Sequence, residues 1–137
     1  MARPAACRGQ STRAIMSHRI LIVDDSYAIR SSLRSWIEGI SGFQVCGEAE
    51  NGKIAVEKVE EMHPDIVILD LQMPVMNGIE AAREISHLAP NTAMVMFTMH
   101  TSQELLRLAR AVGVREIVSK SDQLSGPLLV ALKQACA

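Results

Sequence analysis

The sequence predicts an α/β domain: a parallel five-stranded sheet with helices on both faces. Two observations lead there. Ile20-Leu21-Ile22-Val23 and Ile66-Val67-Ile68-Leu69 are continuous apolar runs, as expected of parallel strands covered on both sides, and they end in acid at Asp24-Asp25 and Asp70. From Arg19 onward, such runs alternate with stretches of helical periodicity, with Gly, Pro and Asn-Gly marking the changes and no internal linker.

Taken in order, Arg19 to Val23 reads as the first strand. Ser26 to Gly39 reads as the first helix, with Ile29, Leu33, Trp36, Ile37 and Ile40 at helical spacing and Gly39 and Gly42 as stop signals. Gly42 to Ala49 is the second strand, where Phe43 and Val45 alternate and Gly47 suggests an edge. After the Asn51-Gly52 turn, Lys53 to His63 is the second helix, burying Ala55, Val56, Val59 and Met62 and ended by Pro64. Ile66 to Leu69 is the third strand, Pro74 to Gly78 a loop, and Ile79 to Leu88 the third helix, stopped by Pro90. Ala93 to Phe97 is the fourth strand, with Met94 and Met96 expected on opposite faces. Thr101 to Val112 is the fourth helix, closed by Gly113. Leu105, Leu106 and Leu108 cannot all face inward from it, so one or two belong to an interface. Arg115 to Val118 is the fifth strand. Ser125 caps a fifth helix that tolerates Gly126 and Pro127 in its first turn and runs to about Cys136.

Composition narrows the function. A length of 137 residues suits one domain, and 3% aromatic residues require an aliphatic core. No apolar run approaches the ~18 residues of a membrane span. Cys7, Cys46 and Cys136 are odd in number and lack metal-site spacing, which fits reduced thiols in a cytoplasm. Residues 1–18 carry Arg3, Arg8 and Arg13 and no acid. Without an apolar core they are no secretory signal, and they resemble a transit peptide only weakly. They are expected to be a disordered tail before a domain at 19–137. Setting them aside leaves 11 basic against 15 acidic residues, a balance that argues against direct nucleic-acid binding.

Five βα units imply a doubly wound (βα)5 sheet. The flavodoxin-like order 2-1-3-4-5 fits best, because it sets the first and third strands side by side at the switch point. Ligands in such sheets bind outside the carboxyl ends of the strands. There Asp24, Asp25 and Asp70 converge, with Thr98 after the fourth strand and Lys120 after the fifth. Three carboxylates repel one another and need a cation, and hard oxygen ligands suit Mg2+. The set suits phosphoryl transfer. Asp70, alone on the central strand, is the nucleophile. Asp24 and Asp25 hold Mg2+, with the backbone carbonyl of Gln72 as a third ligand. Lys120 pairs with Asp70 at rest and with a phosphoryl oxygen afterwards, and the Thr98 hydroxyl bonds another phosphoryl oxygen.

On Asp24-Asp25-Ser26, Leu69-Asp70-Leu71-Gln72-Met73-Pro74-Val75-Met76-Asn77-Gly78, Phe97-Thr98-Met99-His100 and Ser119-Lys120-Ser121, the chain resembles the receiver domain of bacterial two-component response regulators. The resemblance covers roughly Arg19 to Ala135. Gly47-Glu48-Ala49-Glu50-Asn51-Gly52 and Thr98-Met99-His100 are similar to the subclass usually joined to helix-turn-helix output domains. The resemblance implies Mg2+-dependent phosphorylation of Asp70 by a histidine kinase or phosphotransfer protein. It also implies an output partner on the face of the fourth helix, fifth strand and fifth helix, with a homodimer left open. Only 17 residues follow Lys120, so the expectation is either a stand-alone receiver or one truncated before its output domain.

Two positions depart from the family pattern. Ile117 stands where an aromatic residue usually rotates inward on activation, and an aliphatic side chain can neither swing in that way nor offer a hydroxyl. Met99 stands where a small residue is common, and its bulk is expected to hinder water and small phosphodonors. Gln72 and His100 overlook the same pocket.

Other functions fit less well. A haloacid-dehalogenase-type phosphatase wants a second Asp two residues after the nucleophile, where this chain has Gln72. A dinucleotide-binding protein wants a glycine-rich turn after the first strand, where this chain has Asp24-Asp25-Ser26. A phosphate shuttle or sink is a variant of the leading reading. A degenerate receiver, used only for interaction or dimerisation, is the remaining alternative.

Overall fold

Alternate residues of a strand face opposite sides of a sheet, and here that rule sorts the apolar runs into two cores. In the computed structural model, which describes residues 17–99, 102–121 and 126–136, Ile20, Ile22, Ile66, Ile68, Ala93, Val95 and Phe97 join one core. Leu21, Val23, Val67, Leu69, Met94 and Met96 join the other. Met94 and Met96 therefore share a face, contrary to the expectation of opposite faces, because residues two apart lie on the same side of the pleat.

The strands are β1 (His18–Val23), β2 (Phe43–Ala49), β3 (Ile66–Leu69), β4 (Ala93–Thr98) and β5 (Glu116–Ser119). All pairings are parallel, in the order β2-β1-β3-β4-β5, as the sequence predicted. β3 and β4 are buried along their whole length, whereas the edge strands β2 and β5 are mostly half-buried. β2 slips register against β1 between Ile20 and Leu21, next to Gly47, whose lack of a side chain admits the Met62 thioether.

The helices are α1 (Tyr27–Glu38), α2 (Gly52–Met62), α3 (Gly78–Leu88), α4 (Gln103–Ala111) and α5 (Gly126–Cys136). Leu33 and Ile37 of α1 and Leu128, Ala131, Leu132 and Ala135 of α5 cover the first core. Ala55 and Val59 of α2, Ala81, Ala82 and Ile85 of α3, and Ala109 of α4 cover the second. Val56 and Met62, expected to be buried, are only half-buried because they sit at the margin of the α2 stripe.

Side-chain caps fix where helices begin. Ser26, Asn51, Asn77 and Ser102 each accept a hydrogen bond from the backbone N–H three residues on, and Asn77 with Glu80 completes a capping box. α2 ends at His63 in the left-handed region (φ 50), just before Pro64. Gly113 follows α4 at φ +101, the conformation glycine adopts most readily after a helix. Thr101, expected to open α4, and Ser125, expected to cap α5, lie outside the described residues, as do His100 and most of the 1–18 tail. Among the described residues no helix is long and apolar enough to cross a membrane.

Two contacts pin the ends of elements near the carboxyl edge of the sheet. The Gly78 N–H donates to the Leu71 carbonyl (2.7 Å), and α3 starts so close to β3 that a Cβ on residue 78 would strike the Asp70 carbonyl oxygen and lie 2.9 Å from Leu71 Cα. On the other side, Glu48 of β2 receives Arg30 Nε (3.0 Å) and Arg34 Nε (2.6 Å), strapping α1 to the edge strand. Burial alone would raise the Glu48 pKa, but the hydrogen bonds from Arg34 and Arg30 outweigh it and hold the carboxyl below its ordinary range.

Gly78→Ala forces backbone against backbone and is expected to cost about 1–3 kcal/mol of stability, read from urea denaturation. Wild-type stability in that variant would show that the β3–α3 junction can open freely. Glu48→Gln is expected to cost about 1 kcal/mol at pH 7. Because folding lowers this pKa, the contribution is complete above the ordinary value of 4.5 and disappears as pH falls through the lower folded value. The gap between wild type and Glu48→Gln should therefore close in denaturation series carried toward pH 3, and a gap constant with pH would contradict the assignment.

Candidate functional site

Strand ends deliver the charged groups. Asp24 follows β1, with its N–H donating to the Ala49 carbonyl (3.1 Å). Asp70 follows β3 and extends the ladder by donating its N–H to the Val23 carbonyl (3.0 Å). Thr98 ends β4, fully buried, and its carbonyl accepts from the N–H of Lys120, the residue after β5 (2.8 Å). The strand order thus brings Asp24, Asp25, Asp70, Thr98 and Lys120 to one rim. The carboxylates of Asp24, Asp25 and Asp70 offer oxygens that all lie within 4.8 Å of one another, the spacing of a shared cation site.

The three acids are held differently. Asp24 is 2% exposed; its Oδ1 accepts from the Ser26 N–H (2.9 Å) and its Oδ2 from Lys120 Nζ (2.6 Å). Asp70 is 5% exposed; its Oδ1 accepts from the Leu71 N–H (2.8 Å) and its Oδ2 from Lys120 Nζ (3.1 Å). Asp25 is exposed, and among the described residues no hydrogen bond or ion pair holds its carboxylate. Lys120 was expected to pair with Asp70. It pairs with Asp24 as well, and more closely, because β1 and β3 are neighbours and the ammonium can donate to both.

Burial, and then the charge of Asp24, push the Asp70 pKa up, while Lys120 and the Leu71 N–H oppose them. Burial would lower the Lys120 pKa, but the hydrogen bond and charge of Asp24, joined by Asp70, raise it, so the ammonium stays charged. Three carboxylates against one ammonium leave uncompensated negative charge in oxygen-only company. That donor set suits a small hard dication, Mg2+ or Ca2+, and disfavours soft metals.

Gln72 lies two residues beyond Asp70 with its side chain exposed. Past it, the loop turns tightly. Met76 N donates to the Pro74 carbonyl (2.7 Å), leaving Val75 at φ 70 in the centre of a γ-turn of the rarer, strained hand. Gly52 N reaches across from α2 to hold the Met76 carbonyl (3.1 Å). Met99, immediately after Thr98, is 61% exposed. Ile117 is half-buried on β5, beside a groove of ≈ 630 Å³ that Leu106, Val118, Pro127 and Val130 also line. Leu105 faces inward from α4, Leu106 lines this groove and Leu108 is half exposed, which divides the three leucines as their spacing required.

The sequence reading missed Arg30. Its guanidinium donates from NH1 to the Asp24 carbonyl (2.6 Å) while its Nε holds Glu48. An arginine one helical turn past the acidic pair was the available signal. Only the position of β2 shows what it reaches.

Known proteins resemble this chain in sequence and fold. The sequence matches the response regulator receiver domain family over residues 20–126. It is 40% identical to a chemotaxis protein CheY of Thermotoga maritima over 110 residues, covering 80% of this chain and 91% of that one. It is 38% identical to CheY of Bacillus subtilis, covering 79% and 89%. The chain spans only 30% of a protein-glutamate methylesterase of Methanosarcina acetivorans, at 40% identity. Among solved structures, the response regulator domain of Thermotoga maritima CheB superposes with a TM-score of 0.81 at 33% identity, covering 87% of this chain and 96% of that one. A LuxR-family response regulator from Aurantimonas gives 0.82 at 31%, covering 88% and 86%. Receiver domains of this kind are phosphorylation-dependent signalling domains that use Mg2+ at an acidic pocket. With the sheet order and the acid cluster at its carboxyl edge, these matches lead to one conclusion: the chain belongs to the response regulator receiver domain family.

Proposed function

We propose that this receiver is switched by phosphorylation of Asp70, with a histidine kinase or phosphotransfer protein as donor. The supporting observation is the Asp70 carboxylate at the end of the central strand, shared by Lys120 and within reach of Asp24 and Asp25. A carboxylate oxygen attacks phosphorus and forms an O–P bond. The P–N bond to the donor imidazole breaks, and the nitrogen keeps the electron pair and takes up a proton. Lys120 carries its ammonium from the resting pair with Asp70 onto a phosphoryl oxygen, and the Thr98 hydroxyl donates to another. Asp24, Asp25, Asp70 and the Gln72 carbonyl would hold Mg2+. The bound ion would neutralise the acids and the charge on the transferred group. The chain catalyses no reaction beyond gaining and losing its own phosphoryl group.

The output partner sits on the α4–β5–α5 face, a reading supported by the groove beside Ile117 and by the half-exposed Leu108 and Val130. A second copy of the chain is an alternative occupant of that face. Neither nucleic acid nor a membrane is its direct target. The free thiols of Cys46 and Cys136 support a reducing compartment, the cytoplasm. The degenerate-receiver alternative is not favoured, because an unused site would have no reason to bury Asp24 and Asp70 around one lysine.

Intact mass after incubation with a small acyl-phosphate donor is expected to rise by one phosphoryl group in wild type with Mg2+. No gain is expected without Mg2+ or in Asp70→Asn. Failure with both the small donor and a phosphorylated histidine kinase would overturn the assignment. Met99→Ala is expected to shorten the phosphoryl lifetime and speed labelling by the small donor. An unchanged lifetime would remove Met99 from control of access.

A further inference from the structure

We infer that Arg30 is a positioning residue for the cation site: it orients the peptide that carries Asp25 and so sets the affinity for a divalent ion. The inference rests on the cation reading of the acid cluster given above. Its starting point is an asymmetry among the three acids. The Asp24 and Asp70 carboxylates are each fixed at both oxygens, by a backbone N–H and by Lys120. The Asp25 carboxylate has no such hold, yet its oxygen lies within 4.8 Å of the other two acids. What the structure fixes at Asp25 is the main chain from which the side chain starts.

That main chain is held by Arg30. The Asp24 carbonyl belongs to the planar peptide that leads into Asp25, so fixing this oxygen fixes the plane from which Asp25 starts. Arg30 NH1 donates to it at 2.6 Å. The guanidinium cannot drift, because its Nε is tied to Glu48 Oε1 (3.0 Å) and its side chain is 14% exposed. A rigid fork of donors suits this double hold, which a single ammonium cannot reproduce. Groups that orient metal ligands without touching the ion typically change affinity by about 10–100-fold when removed. Arg34 supplies the internal comparison. It shares Glu48 with Arg30 (2.6 Å) and joins α1 to β2, but it donates to Glu48 and Glu38 rather than to the Asp24 peptide.

The test is a Mg2+ titration of the unphosphorylated full chain, followed by NMR shifts of the backbone amides of Asp24, Asp25 and Asp70. Arg30→Ala is expected to weaken Mg2+ binding about tenfold. Arg30→Lys, which can reach the carbonyl or Glu48 but not both, should fall between Arg30→Ala and wild type. Arg34→Gln should lose stability in urea yet bind Mg2+ within about twofold of wild type, separating positioning from general loosening of α1. The phosphorylation rate of Arg30→Ala at saturating Mg2+ should approach that of wild type. Wild-type Mg2+ affinity in a folded Arg30→Ala would overturn this inference alone. An equal loss in Arg34→Gln would show that Arg30 acts only by anchoring the helix. If Arg30→Ala does not fold, Arg30→Lys decides, and unchanged affinity there overturns the positioning role. If wild type binds no Mg2+, the cation reading falls and this inference falls with it.

Discussion

The structure of the site depends on one ammonium shared between two buried carboxylates. Lys120 Nζ lies 2.6 Å from Asp24 and 3.1 Å from Asp70, in a pocket that leaves both acids almost without water. An unpaired buried carboxylate is costly enough that a protein protonates or exposes it instead. Here the two buried carboxylates share one ammonium, because β5 ends where its next residue can reach across β4 to the ends of β3 and β1. The sheet order is thus an electrostatic requirement as well as a packing result. Had β5 joined the opposite edge, beside β2, the acids would have lost their counter-ion.

The same ammonium leaves the site short of positive charge. One lysine cannot neutralise three acids, and burial, then the charge of Asp24, push the Asp70 pKa up. A fully compensated pocket would be stable and inert. An under-compensated one attracts a dication and, with it, an anionic group that neither acids nor lysine alone would tolerate. Stability lost at the carboxyl edge is regained elsewhere, in two aliphatic cores that leave β3 and β4 buried throughout. The site and the cores therefore have separate parts of each strand: apolar residues make the body, and the chemistry begins at the first residue beyond it.

That division explains what could be read from the sequence. Apolar runs, helix stops and the acids that terminate strands are local signals. They mark the elements; the sheet order, and with it the convergence of Asp24, Asp25, Asp70, Thr98 and Lys120, comes from the rule that sets the first and third strands side by side at the switch point. Contacts that need tertiary geometry were not legible. Lys120 was assigned to Asp70 alone because chain position does not reveal that it can reach Asp24 too. The sequence reading passed over Arg30, and only the placement of β2 shows that Glu48 and the Asp24 carbonyl hold it. Glu48 lies on the edge strand β2, and nothing local in the sequence shows that it receives both Arg30 and Arg34. The assignment of Met94 and Met96 to opposite faces was a fault of period, since two residues return a strand to the same side.

The distribution of packing also says where a change at the site can travel. α4 has nine residues and buries only Leu105 and Ala109, and β5 is a four-residue edge strand with one fully buried side chain. Local stability follows buried apolar contact, so these are among the parts of the sheet's second half that are cheapest to shift. They are also close to the reactive groups, since Thr98 ends β4 just ahead of α4 and Lys120 follows β5, with a backbone hydrogen bond joining the two residues. β1 and β3, by contrast, carry Asp24 and Asp70 on strands locked between two cores. A group added at Asp70 would meet a fixed acid side and a loosely anchored α4–β5 side. A displacement started there would meet the least resistance toward the groove that Ile117 borders.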